Sequence, residues 1–197
     1  MVDVMIDIET KGKGFDSVVL TIGAVKFDPY SSWSHITSAA DMPNLPSLYL
    51  LPDIAEQEIM GRTTDASTME WWATQDAKVR EEAFTDNGRE LVETVLLKLF
   101  NFCEGADAIW AQGPQFDICI LENLYRSKDL AKPWSFGQIR DSRTWLKAMG
   151  DTRDKNSASA HNALADAYSQ AFAVQTGFNK LKEMKVLWTL TNGESTG

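Results

Sequence analysis

Asp7-Ile8-Glu9-Thr10 closes the first apolar segment of the chain, Phe116-Asp117 stands alone in mid-chain, and His161-Asn162-Ala163-Leu164-Ala165-Asp166 lies near the end. Each fragment alone is a weak signal, because short Asp/Glu and His/Asp spacings recur by chance. Taken together, in that order, four carboxylates and one imidazole read as a site that holds two metal ions and hydrolyses a phosphodiester. Residues two apart in an extended segment face the same side, so Asp7 and Glu9 aim at one spot while Ile6 and Ile8 enter the core. Close anions in a half-buried strand are unfavourable unless a cation or a proton neutralises them. An all-oxygen set suits Mg²⁺ or Mn²⁺, whereas zinc would want His or Cys.

In the assembled reading Asp7 bridges both ions. Glu9 and Asp166 complete the ion that holds the attacking water, Asp117 serves the other directly or through water, and His161 takes the proton. An ordinary imidazole titrates close to neutral pH, which suits it to that task. Each group also has a plainer role when considered singly. Asp7 and Glu9 would sit on an exposed edge or turn, Asp117 would be a helix N-cap or first-turn acid, and His161 would be a terminal residue touching solvent.

The elements that must position these groups follow from patterning. Residues 2–8 and 18–27 are β-branched and apolar and are separated by Lys11-Gly12-Lys13-Gly14, which predicts two strands joined by a turn. A third strand is expected around 33–37. Pro43, Pro46 and Pro52 point to mostly irregular chain over 38–65, with a short helix at 54–59. Ser67-Thr68-Met69-Glu70 has the form of a capping box opening a helix that carries Trp71 and Trp72, both read as core. Leu91, Val95, Leu96, Leu99 and Phe102 give an amphipathic helix over about 88–103. A short buried strand at 108–111, ended by Gly113-Pro114, precedes a helix over 116–125. Residues 138–144 hold a strand or a helix start, 151–160 form a polar flexible loop that gives His161 room to move, and 163–178 form the next helix. Residues 181–190 read as a helical or extended tail. Strands first, then helices alternating with short strands, predict an α/β fold with a mixed central sheet flanked by helices.

A length of 197 residues with 44% hydrophobic content suffices for one core, so residues 1–190 are expected to form one domain and 191–197 a short flexible tail. The first residues lack a basic n-region, and no apolar run approaches the ~18 residues of a membrane span. Cys103 and Cys119 form no CxxC pair and read as buried reduced thiols. The cytoplasm is the expected compartment. A net charge of −9 argues against broad neutralisation of duplex phosphates, since that requires a basic face. Bound divalent cations would reverse the local charge at an acidic cluster and attract phosphate there.

On Asp7-Ile8-Glu9-Thr10, Phe116-Asp117 and His161 to Asp166, the chain resembles the DEDDh 3′-to-5′ exonucleases, and within them the phage and prophage branch. Ser67 to Trp72, Pro133-Trp134 and Arg140-Asp141-Ser142-Arg143-Thr144 extend the similarity from residue 2 to about 176. The resemblance implies a ribonuclease H-like sheet of about five strands, two divalent ions on the four acids, and removal of nucleotides from a 3′ end. It also implies that Thr10 and Phe116 lie beside the terminal nucleotide. Many members have Asn four residues before the second acid, where this chain has Gly113 preceded by Gln112. If the family host is a phage, the compartment is the host cytoplasm.

Arg143 is a candidate phosphate clamp, in even competition with a salt-bridged structural role that it shares with Arg140. Lys11 and Lys13 could meet a strand backbone but more commonly stay solvated, and His35 reads as an ordinary strand residue. The expected partner is the 3′ end of single-stranded nucleic acid, of either sugar, with a homodimer left open. Two rival readings stand beside this one: a catalytically silent binding protein on the same fold, and a small phosphodiesterase without polymer specificity.

Overall fold

The first apolar run is β1, Asp3–Thr10, and it occupies the centre of the sheet. A computed structural model describes residues 1–31, 45–151, 153 and 161–192, with side chains described to residue 186. β2 (Val19–Phe27) pairs antiparallel with β1, and β3 (Ser47–Leu50) pairs antiparallel with β2. On the other side β4 (Ala108–Ala111) and β5 (Ile139–Asp141) run parallel to β1, giving the order β3-β2-β1-β4-β5. The chain leaves β1 in one direction and returns to its other side at β4. Open α/β sheets build their sites at the strand ends beside such a switch of direction.

Strand periodicity divides β1 between two cores. Val4, Ile6 and Ile8 pack with Leu96 and Leu99 of α4 (Val92–Cys103) and Leu121 of α5 (Asp117–Ser127). Met5 faces the opposite layer, with Ala167, Ala171 and Val174 of α7 (Ala163–Asn192) and Leu146 of α6 (Ser142–Met149). Asp7 and Glu9 continue the Met5 face, so both carboxylates point toward α7. Three short helices, α1 (Ile54–Ile59), α2 (Ala66–Ala73) and α3 (Ala77–Phe84), cover the β2 side.

Helix α7 lies very close to the sheet, and Gly23 is the reason. Gly23 pairs with Asp7 across β1 and β2, and a β-carbon there would fall 2.2 Å from the Ala163 carbonyl oxygen. Ala163, Ala167 and Ala171, one turn apart and fully buried, form a smooth stripe that continues this approach. A second close crossing explains Gly177, whose β-carbon would lie 2.7 Å from Trp145 Nε1 of α6.

Several expectations change. β3 falls in a stretch read as irregular; Pro46 and Pro52 bracket it, as tolerated at the ends of an edge strand. α3 was not expected. The Ser67 capping box does not form: α2 begins at Ala66 after Asp65, whose carboxylate accepts from Lys13 N–H at 2.8 Å and whose N–H donates to the Lys11 carbonyl. The β1–β2 turn therefore fixes where α2 starts. Residues 138–144 hold both a strand and a helix start, and α7 runs unbroken to Asn192 because Gly177 serves a helix crossing rather than a stop. Cys103 is buried as expected, but Cys119 is exposed on the outer face of α5. The strand expected at 33–37, with His35, most of the polar loop and the tail from 193 lie outside the described residues. Among those described, no helix is long and apolar enough to cross a membrane.

Gly23→Ala should destabilise the protein by about 1 to 3 kcal/mol, as overpacking does when the contacted atom is backbone, and should lower turnover by lifting the start of α7. Urea denaturation and a cleavage assay measure the two effects; an unchanged midpoint and rate would mean the helix seat is compliant.

Candidate active site

Three elements deliver the four acidic groups to one place at the end of β1. Asp7 and Glu9 come from the strand itself. Asp117 is the first residue of α5, buried, and its Oδ1 accepts from the Ile8 N–H at 3.2 Å. That amide lies beyond the β1–β4 pairing, which runs from Asp3 to Met5, so the Asp117 side chain supplies the partner that the ladder does not. Asp166 stands in the first turn of α7, and its Oδ2 accepts from the His161 N–H at 2.8 Å. Among the described residues, Glu9, His161 and Asp166 each offer a ligand atom, all within 4.8 Å of one another.

Electrostatics binds Asp7 and Asp117 into the same cluster. Burial, and then the charges of Asp117, Glu9 and Asp166, push the Asp7 carboxyl well above the usual carboxylate range. Burial followed by the charges of Asp166 and Asp117 does the same for Glu9. Burial lifts Asp117 to about 7 against the Ile8 amide, its own amide and the Arg143 charge. It also raises Asp166 against the His161 amide and ring and Arg153. Four carboxylates that resist ionisation together are a site prepared for a cation.

The donor set fits a divalent ion. It is rich in carboxylate oxygen with one imidazole at its edge, and next to it sits an orphaned polar atom. Gln170, one turn beyond Asp166 and buried, donates from Nε2 to Asp7 Oδ1 at 2.7 Å, while its Oε1 has no protein partner among the described residues. An amide on a ligating carboxylate fixes which lone pairs remain for a metal. Sequence reasoning missed Gln170, although its spacing of four from Asp166 on a helix carried the signal.

The remaining expected residues take more structural positions. The Thr10 hydroxyl donates to the Gly12 carbonyl at 2.6 Å, and the Thr10 carbonyl accepts from Trp72 Nε1 at 2.9 Å. Phe116 precedes α5 and packs, partly buried, against the larger core. Arg143 donates to the Gln112 carbonyl at 3.0 Å. Its guanidinium lies across Gly113, where a β-carbon would come within 3.2 Å of it and where φ is +97°, so the residue at the family's Asn position is one that this backbone requires to be Gly. Arg153, also missed, donates to Gln112 Oε1 and pairs with Asp151 at 2.8 Å. Lys11 is paired with Glu58. Trp72 is buried as expected, but Trp71 is 39% exposed and lies against His161.

A mixed sheet in this strand order, with the four acids and the His gathered at the end of its central strand, matches the arrangement expected of a DEDDh-type exonuclease of ribonuclease H-like fold. The fold is similar to that of E. coli exonuclease I, solved in a zinc-bound complex with single-stranded DNA, at a TM-score of 0.59 and 14% identity over 95% of this chain and 43% of that one. It is also similar to cell-death related nuclease 4, at a TM-score of 0.56 and 13% identity over 91% of this chain and 64% of that one. The chain thus spans less than half the length of exonuclease I, and at such identities the likeness is one of fold. In sequence it is 25% identical over 187 residues to an exodeoxyribonuclease of Enterobacteria phage T4, covering 85% of this chain and 81% of the relative. The chain belongs to the Rv2179c-like 3′-5′ exoribonuclease domain family, whose model matches residues 2–178.

The raised carboxyls set a pH dependence for metal-free protein. A carboxyl whose folded pKa lies above its ordinary 3.8, as at Asp117 near 7, adds stability while protonated, and this is lost as pH rises through the folded value. In chelator the melting temperature should fall between about pH 5 and pH 8, Mn²⁺ should restore it at the upper end, and Asp117→Asn should flatten the slope. A metal-free melting temperature that rises over that range would contradict the cluster.

Proposed function

We propose that this exonuclease removes nucleotides one at a time from the 3′ end of single-stranded nucleic acid, with Asp7, Glu9, Asp117 and Asp166 holding two Mg²⁺ or Mn²⁺ ions and His161 as general base. The observation that carries the reading is the cluster itself: four carboxylates, all raised by burial and two of them, Asp7 and Glu9, also by their neighbours' charge, beside an imidazole. When bound, the ions would polarise the phosphate and ease formation of hydroxide from water. His161, whose ligand nitrogen is within 4.8 Å of Glu9 and Asp166 oxygens, accepts the proton of the attacking water. The water oxygen bonds to the terminal phosphorus, the bond to the preceding 3′ oxygen breaks, and a nucleoside 5′-monophosphate leaves.

Four features support the substrate assignment. A net charge of −9 disfavours a long grip on duplex. The exonuclease I structures of similar fold hold single-stranded DNA, and a cluster at the open end of the central strand suits an entering terminus. The Arg143 charge, which lowers the Asp117 carboxyl, supports a phosphate contact there. The matched family is described as an exoribonuclease and the phage relative as an exodeoxyribonuclease, so both sugars belong in the test.

Matched 5′-labelled DNA and RNA oligonucleotides, incubated with Mg²⁺, Mn²⁺ or chelator, should give a metal-dependent ladder shortening from the 3′ end that Asp166→Ala abolishes. Intact substrate under every condition would favour a silent binding protein. His161→Ala should keep Mn²⁺ affinity and lose about two to four orders of magnitude in rate, the usual range for a general base. Wild-type turnover in that variant would reject the assignment.

A further inference from the structure

His161 reaches the cluster from an unusual backbone position. Its φ is +69°, in the left-handed region that residues with a β-carbon adopt only against steric resistance. Contacts on either side hold the main chain there. The His161 N–H is bound by Asp166, and the next residue, Asn162, donates to Glu82 at 2.6 Å and accepts from the Ala165 N–H at 2.9 Å. None of these contacts fixes the imidazole ring.

The ring meets Trp71. The centroids are 4.8 Å apart and the planes perpendicular at 90°, the T-shaped arrangement that aromatic quadrupoles favour. Trp71 is itself firmly based, in edge contact with Trp72 at 5.0 Å. Trp72 is fully buried, donates to the Thr10 carbonyl at 2.9 Å and packs on Phe84 at 5.3 Å. Neighbours on a helix point about 100° apart around its axis. One turn of α2 therefore sends Trp72 to the end of the strand bearing Asp7 and Glu9, and Trp71 to the His. An indole left 39% exposed contributes little as core, but it is well placed as a wall beside the imidazole.

We propose that Trp71 is a positioning residue that holds the His161 ring toward Glu9 and Asp166. This rests on the reading of His161 as general base. The α2 tryptophan pair then acts as a rigid spacer between the first and last acidic motifs, so the distance from the imidazole to the Asp-x-Glu strand is set by a helix rather than by the chain around residue 161.

Single-turnover cleavage and steady-state constants should be measured for Trp71→Ala, Trp71→Leu, Trp71→Phe, His161→Ala and the Trp71→Ala/His161→Ala double variant. The Leu variant keeps apolar bulk without a ring and serves if the Ala variant folds poorly. Loss of the ring should lower kcat about ten- to a hundredfold, the scale of a misplacement near 1 Å, with KM little changed, and Trp71→Phe should recover most of the rate. The double variant should be no slower than His161→Ala, because residues acting through one another are not additive. Independently of turnover, the chain has two histidines, and the His161 ring protons should lose their indole ring-current shift in Trp71→Ala. A double variant slower by the product of the single effects, with KM raised, would overturn the proposal and place Trp71 on the nucleic acid. A Trp71→Leu enzyme at the wild-type rate would overturn it as well. His161→Ala at the wild-type rate would instead remove the general-base reading, and the positioning role with it.

Discussion

Mutual repulsion among buried carboxylates is the constraint around which this molecule is arranged. Asp7, Glu9, Asp117 and Asp166 are drawn to one end of the central strand; burial raises every one of them, and the neighbouring carboxylates raise Asp7 and Glu9 further. Without a cation, such a cluster can relax only by taking up protons or by moving apart. The surrounding contacts oppose moving apart. The Ile8 amide holds Asp117, the His161 amide holds Asp166 and the Gln170 amide holds Asp7. Each donor is an N–H group that favours the charged carboxylate, so the scaffold keeps the four carboxylates assembled against their repulsion.

Packing decides how closely the helices can bring these groups. Gly23 and the alanine stripe of α7 remove the side-chain layer that ordinarily separates a helix from a sheet, and Asp166 and Gln170 descend onto β1 as a result. On the opposite face the core has ordinary thickness, filled by Leu96, Leu99 and Leu121. The two faces therefore have different functions. One stabilises the sheet by apolar burial, and the other sacrifices bulk to place polar groups within hydrogen-bond distance of the strand.

The Asp-x-Glu pair was legible in the sequence because a strand has a period of two, so apolar Ile6 and Ile8 forced Asp7 and Glu9 onto the other face. Asp117 and Asp166 were legible through their setting after a short strand and at the start of a helix. The short edge strand at Ser47 was hidden by its flanking prolines, and the helix from Ala77 by its polar composition, although Asp76, whose side chain accepts from the Lys78 N–H, carried a capping signal. Gln170 escaped notice and Trp71 was read as core for a shared reason. Their partners lie far away in the chain, and neither type announces a role until the surfaces it bridges are known.

The two thiols of the chain differ sharply in accessibility. Cys103 is sealed in the core, its thiol pushed up to about 12 by burial, and is inert toward alkylating reagents under native conditions. Cys119 is exposed on the helix that begins at Asp117. The folded native chain therefore carries a single maleimide-reactive position two residues from Asp117, and a fluorophore or spin label can be attached on the helix that starts at the acidic cluster without engineering the sequence.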